Sequence, residues 1–314
     1  MLDSIWNDVK QQFSYGNMIT RIVIVNVAVF VLINLVKLIL RLTNGWQDTG
    51  LYNEILHFLC ISADPWYILT RPWTIFTNMF LHEGFMHILF NMLFLYWFGR
   101  IVGDLIGDRR ILPLYLMGGL AGGLAFFISA NLLNYGGGAA NFALGASAAV
   151  MAIVLAAGVL APDYIMRLIL IGDVRLKYIV AVLVVLDLVS LANNINTGGH
   201  FAHLGGAVFG WFFVTQLQNG NDLSEPINRW LDRLNAFWLN LKNRMQGKAP
   251  RPRVVYRNKD KMKRSAGRPR ASTDGNDGPQ HQEKLDSILD KIKKSGYDSL
   301  SSEEKEFLFN ASKK

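Results

Sequence analysis

Residues 144–161 read LGASAAVMAIVLAAGVLA, an uncharged stretch whose single hydroxyl is Ser147. Five further stretches are predominantly apolar: Ile19–Leu40, Phe76–Ile101, Ile111–Leu133, Tyr178–Ala192 and Phe201–Leu217. A helix needs about 20 apolar residues to cross a bilayer core. Six such segments, in a chain that is 51% hydrophobic and 18% charged, predict an all-α membrane protein with six transmembrane helices over residues 19–218. A soluble domain carries more charge, about 25%. The polar N-terminus, residues 1–18, lacks a small-residue cleavage site, so the first segment reads as an anchor and not as a removed signal peptide. Lys37 and Arg41 near its far end can reach the interface. The one cysteine, Cys60, excludes an internal disulfide framework and a cysteine-based metal site.

An even number of spans puts both termini on one side, and charge selects which. Arg100, Arg109, Arg110, Arg167, Arg175 and Lys177 fall in loops on the N-terminal side, together with a basic tail. The opposite loops, residues 134–142 and 193–199, carry no charge. Positive charge concentrates on the cytoplasmic face, so both termini are expected there, in the cell (inner) membrane. The long first loop, residues 42–75, is then external and is the exception to the charge pattern, carrying Arg71 with Asp48, Glu54 and Asp64. Its pieces Leu51–Leu59 and Pro65–Leu69 are rich in aromatic and apolar residues, as short helices lying in the interface would be.

Reactive groups at membrane depth are costly and default to a functional reading. Ser147 and His203 lie in separate apolar segments, a nucleophile and its general base if they meet. Taken alone, Ser147 fits ordinary helix packing. Its approach, however, contains Gly136-Gly137-Gly138 and then Gly145, which permits close backbone approach at a helix start. There, free N–H groups could bind an oxyanion. His203 opens His-x-x-Gly-x-x-x-Gly with Gly206 and Gly210, a small-residue seam that should face the helix carrying Ser147. His200, one turn earlier, competes for the role of base. His87 and Asn91 are four apart and share a helix face, where they could donate to an oxyanion or bond neighbouring helices. His82 sits at the membrane boundary. Asp187 is a membrane-depth carboxylate read as a cavity or structural residue, with no third catalytic acid evident. Gly118, Gly119, Gly122 and Gly123 read as a packing seam.

Together, His82-x4-His87-x3-Asn91, Gly145-x-Ser147 and Ala202-His203-x2-Gly206-x3-Gly210 resemble the rhomboid family of intramembrane serine proteases, in order and in allocation to the second, fourth and sixth spans. The resemblance covers roughly residues 19–218. It implies a six-helix bundle with an external, membrane-embedded first loop and a Ser–His dyad facing outward. It implies Ser147 as nucleophile and His203 as base. His87, Asn91 and the Ser147 N–H would bind the oxyanion, with His82 and Gly145 near the site. It also implies transmembrane protein substrates. Ala148, Met151 and Thr74 stand where the family often has Gly, Tyr and Arg. A serine dyad needs no cofactor or metal, and no motif for either is present.

The tail follows. Residues 219–247 hold an amphipathic helix: Ile227, Trp230, Leu231, Leu234, Phe237, Trp238, Leu241 and Met245 recur at helical spacing among Arg229, Arg233, Lys242 and Arg244. It should lie on the inner leaflet. Residues 248–282 form a basic, proline-punctuated linker, expected to be disordered and drawn to anionic lipid. Its Gly267-Arg268-Pro269-Arg270 is too short to argue for nucleic acid, and no such partner is expected. Residues 283–314 should form a small helical hairpin, with Gly296 stopping one helix and Ser301-x-x-Glu304 capping the next, and it could dock on a cytoplasmic partner. The leading functional reading is an intramembrane serine endopeptidase cleaving near the outer face. The alternative is a proteolytically inactive rhomboid-like protein that binds membrane helices. A transporter is disfavoured by the absence of paired carboxylates or charges spread along a pathway.

Overall fold

The Asn17 side chain accepts the N–H of Thr20 at 2.9 Å and so starts the first long apolar helix. That helix, α2 (Met18–Thr43), follows α1 (Leu2–Tyr15). The structure is a computed structural model and describes residues 2–47, 50–133, 135, 142–168, 171–193, 196–245 and 279–312. The glycine run at 136–138, the basic segment 248–278 and its Gly-Arg-Pro-Arg motif lie outside the described residues. Two units divide the chain, Met1–Ala249 and Pro250–Lys314.

In the first unit α2 buries only Ile19, Ile22, Asn26 and Ile33. Val31, Leu32, Leu35, Leu38 and Ile39 are exposed, an apolar face that suits lipid and not water. The two aromatic pieces of the first loop are helical, α3 (Leu51–Leu59) and α4 (Pro65–Thr70), separated by the short strand β1 (Ile61–Ser62). A further turn, α5 (Thr74–Thr77), leads into a 3-10 turn at Asn78–Phe80. The second long helix, α6 (Phe85–Ile106), begins only after Gly84. The apolar run from Phe76 is therefore broken, and His82 precedes the helix instead of riding on it. Helix α7 (Ile111–Leu133) has the bounds its sequence predicts. By length and composition, three segments can cross a membrane among the described residues: Met18–Thr43, Phe85–Ile106 and Asp108–Leu133.

After strand β2 (Phe142–Ala143) comes α8 (Ser147–Leu160). At 14 residues α8 is about 21 Å long, short of a full span. Nearly all of it is buried, from Ala148 to Ala157. Strands β3 (Ile165–Leu168) and β4 (Gly172–Arg175) form an antiparallel hairpin at its end, which hydropathy alone did not reveal. Helices α9 (Leu176–Ala192) and α10 (Thr197–Gln218) complete the bundle.

Small residues set how closely these helices meet. A Cβ on Gly206 or Gly210 would fall 2.0 Å from the carbonyl oxygens of Ala148 and Ala152, so the α10 seam touches the backbone of α8, as its spacing predicts. On the other side a Cβ on Gly118 or Gly122 would fall 2.3 Å from the Cβ of Ala152 or Ala148. Gly122 thereby makes room for the methyl of Ala148. Helix α8 is thus held between α7 and α10, with α6 and α9 also against it.

Polar contacts gather certain loops at one end. The Met18 N–H donates to Asp108 at 2.8 Å, Arg110 pairs with Asp222 at 2.7 Å, and Arg109 pairs with Asp232 at 2.6 Å. The start of α2, the turn before α7 and the end of α10 therefore share a face with α11 (Glu225–Met245), whose Trp230, Phe237 and Trp238 are exposed. Near the β-hairpin Lys177 and Arg175 pair with Asp163 and hold its carboxyl below the usual range.

In the second unit α12 (Pro279–Ser295) and α13 (Ser302–Ser312) form a hairpin. Ile288 and Leu300 are buried. Gly296 adopts φ 79°, which ends the first helix. The Ser301 N–H donates to Glu304 at 2.8 Å, and the Glu304 N–H donates to Ser301 Oγ at 3.3 Å, the reciprocal capping pair.

Candidate active site

The buried turn before α6 sets the position of the serine. Tyr115 is fully buried and donates its hydroxyl to the Met79 carbonyl at 2.8 Å. This fixes the turn at residues 78–80. The Asn78 carbonyl then accepts the N–H of Gly145 at 2.9 Å, two residues before Ser147. From the outer loop, β1 pairs with β2, Ile61 opposite Ala143 and Ser62 opposite Phe142. The approach to Ser147 is thus held from both sides. Gly145 has φ 127°, a conformation that L side chains rarely adopt, and a Cβ there would meet the His87 ring at 2.9 Å. Glycine is needed twice over. Ser147 is the first residue of α8, so its N–H has no partner within the helix.

The first loop is anchored by its own aromatic residues. Trp73 Nε1–H donates to the Phe58 carbonyl at 2.9 Å, Tyr67 donates to His57 at 2.8 Å, and His57 stacks on Phe142 at 4.0 Å. Arg71 lies over the Tyr67 ring at 4.2 Å. Cys60 is buried at the end of α3, and burial pushes its thiol up to about 12.

Ser147, His203, His87 and Asn91 all line one open cavity of about 1160 Å³. A Cβ on Gly145 would touch both the His87 ring and, at 3.6 Å, Ser147 Oγ, so these two groups flank the same glycine. Asn91 Nδ2 donates to the His87 carbonyl at 2.8 Å and retains a second N–H. His82 is outside the cavity lining. It is buried, and its ring meets His87 edge-on at 4.9 Å. Among the described residues no hydrogen bond joins Ser147 to His203. Met151 lines the cavity, and the ring in contact with His203 is that of His200, at 5.3 Å and near-perpendicular.

Asp187 lines the cavity, as the sequence reading allows, but it also supplies the acid that reading found no sign of. Its carboxylate faces both histidines, with Oδ1 2.8 Å from His203 Nδ1 and 2.5 Å from His200 Nδ1. An acid therefore does stand behind the candidate base. A carboxylate so placed accepts the Nδ1–H, fixes the ring and leaves Nε2 unprotonated. One signal was available in the sequence. Antiparallel helices joined by a short turn juxtapose residues equidistant from it, and Asp187 and His203 are each eight positions from residue 195 (195 − 187 = 203 − 195 = 8).

Comparison with known proteins places the chain among rhomboid proteins. The family model of the Rhomboid domain matches residues 69–219, and that of a family of unknown function (DUF6576) matches residues 277–314. Over 181 residues the chain is 29% identical to Presenilin-associated rhomboid-like protein A, mitochondrial, of Danio rerio, covering 57% of this chain and 45% of that protein. It is 28% identical over 145 residues to Rhomboid protease GluP of Bacillus subtilis, covering 46% of this chain and 26% of that protein. It is 30% identical over 173 residues to the rhomboid-family protein YdcA of the same bacterium, covering 54% of this chain and 76% of that protein. The match thus spans less than half the length of the first two relatives.

Proposed function

The chain belongs to the rhomboid family of integral membrane proteins, and we propose that it is an intramembrane serine endopeptidase with Ser147 as nucleophile and His203 as general base. The observation that carries this reading is the cavity shared by Ser147, His87, Asn91 and a histidine backed by Asp187. Six helices, α2 and α6 to α10, form the bundle in the inner membrane, with the short α8 enclosed by its neighbours at the centre, and both termini are cytoplasmic. The end gathered by Asp108, Arg109 and Arg110 is the inner face. The exposed aromatics of α11 rest on the inner leaflet, and the basic segment after it meets anionic lipid.

The chemistry follows from the placement. His203 Nε2 takes the Ser147 proton as Oγ adds to a peptide carbonyl, while Asp187 holds Nδ1–H. The Ser147 N–H, His87 and the second Asn91 N–H stabilise the developing oxyanion. Collapse breaks the C–N bond, and His203 returns the proton to the leaving amine. Water, activated by the same imidazole, then releases the acid. The substrate is a transmembrane segment cut near the outer face. Its helix must unwind locally, because a helical carbonyl is hydrogen-bonded and shielded, so small or helix-destabilising residues are expected at the cut.

Cleavage of a labelled single-span substrate by purified protein in liposomes tests the reading. Product from wild type, lost in Ser147→Ala and in His203→Ala, is expected. Equal product from all three would sink the assignment. One observation favours the second reading, a helix-binding protein without protease activity: Ser147 and His203 are not hydrogen-bonded. Catalytic hydrogen bonds commonly tighten only when substrate binds. Substrate capture with no product from any panel member would favour that second reading.

A further inference from the structure

The proposed mechanism has no use for His200, yet His200 shares the Asp187 oxygen with His203. Asp187 Oδ1, His200 Nδ1 and His203 Nδ1 all lie within 4.8 Å of one another. We propose that Asp187, His200 and His203 form a binding site for a divalent transition-metal ion of the zinc type, and that its occupancy switches the catalytic base off. The binding half stands on this geometry alone. The inhibitory half rests on the reading of His203 as the base.

The donor set is the first argument. Two imidazole nitrogens and one carboxylate, with a fourth position left open, are a recurrent zinc ligand set. All three residues line the open cavity, so water could complete the shell. The scaffold is the second. His200 and His203 are three apart on one face of α10, and Asp187 comes from α9, packed against it. Burial is the third. The side chain of Asp187 is 8% exposed and those of His200 and His203 are 17% and 20% exposed, so a nearly buried carboxylate faces two largely buried rings at the cavity wall, a placement that favours a cation. The fit needs little movement. Zinc bonds of about 2.0–2.1 Å in tetrahedral array place donor atoms about 3.3 Å apart. The two contacts at 2.5 and 2.8 Å must open by less than an ångström, and the two Nδ1 atoms, within 4.8 Å of each other, must close by at most about 1.5 Å to reach that spacing, within reach of side-chain torsions.

The consequence for the base is a matter of protons. Without metal, Nδ1 of His203 carries the proton and Nε2 holds the lone pair. With metal, the Nδ1 lone pair binds the ion and the ring proton moves to Nε2, with no net proton lost. Nε2 then has no lone pair for the Ser147 proton.

Cobalt(II) reports the site without catalysis. Full-length Ser147→Ala protein in detergent micelles is titrated with cobalt(II), followed by the visible absorption of the four-coordinate ion. A saturable band at one equivalent, displaced by zinc, is expected. It should weaken about tenfold or more when His200→Gln or Asp187→Asn is added, and remain unchanged with His57→Gln. No saturable band, or the same band with both added substitutions, overturns the site. On the otherwise wild-type background, zinc should suppress cleavage, a chelator should restore it, and His200→Gln should resist zinc about tenfold or more. Equal inhibition of wild type and His200→Gln overturns the inhibitory half. Absence of cleavage in chelator-treated wild type overturns the protease reading instead, and the cobalt titration still decides the metal site.

Discussion

Helices α2 and α8 are both strongly apolar, and they do opposite things with it. Helix α2 has 26 residues rich in Leu, Ile and Val, and it buries only Ile19, Ile22 and Ile33 of them. Helix α8 has 14 residues rich in Ala, and it is enclosed along nearly its whole length. Large side chains face lipid, where shape matters little. Small ones face other backbones, where a methyl group matters. The difference teaches that hydropathy marks the membrane while residue size marks the centre of the bundle. The first residue of that central helix is the proposed nucleophile.

If α8 is central because it delivers Ser147 to a backed histidine, the largest effect should come from the backing. Asp187→Asn should lower kcat by about 10²–10⁴, because the amide can donate to Nδ1 and favour the wrong tautomer. Thermal unfolding should change far less than the rate. A loss of unfolding temperature that matches the loss of activity would make Asp187 structural and break the comparison.

Packing comes next. Gly210→Leu should destabilise the protein by about 3 kcal/mol or more, since even its Cβ would meet the Ala152 carbonyl at 2.0 Å. Leu32→Ala on α2, at a position 61% exposed, should change stability by less than about 0.5 kcal/mol. Unfolding curves of both variants in the same micelle decide this. Equal losses would mean that the outer helix is as tightly packed as the inner one.

The first loop should behave as α8 does and not as α2 does. Cys60, buried and with its thiol pushed up to about 12, should resist maleimide at neutral pH in folded protein and react on unfolding. Rapid labelling of the folded protein would show that the loop does not hold Cys60 buried as its aromatic anchors imply.

The smallest effect lies in the second unit. Lys291 donates to Glu304, and the Ser301 N–H adds a further bond, so the Glu304 carboxyl titrates below the ordinary glutamate value. Its contribution to stability is then present above pH 4.5 and is lost as pH falls through the lower folded value. An NMR titration of Glu304 in full-length protein, beside Lys291→Met, should show the carboxyl moving back up in the variant.

Much of this was legible beforehand. Ser147, His87, Asn91 and His203 stand out because reactive groups in apolar runs are conspicuous, and the Gly206/Gly210 spacing pointed α10 at α8. What the sequence hid was tertiary. The start of α6 at Phe85 depends on how the turn at 78–80 is held by Tyr115, and a hydropathy run does not register it. The β3–β4 hairpin disappears into a basic loop. The Asp187–His203 pair joins residues on different helices and forms only when α9 folds back on α10.

The most direct measurement is covalent capture of the nucleophile. Purified protein is treated with a fluorophosphonate, which phosphonylates only an activated serine, and the adduct is located by mass spectrometry. A single adduct on Ser147, lost in His203→Ala and slowed in Asp187→Asn, is the predicted result. An unmodified Ser147 in protein that cleaves substrate, or labelling that persists at the same rate without His203, would contradict the account.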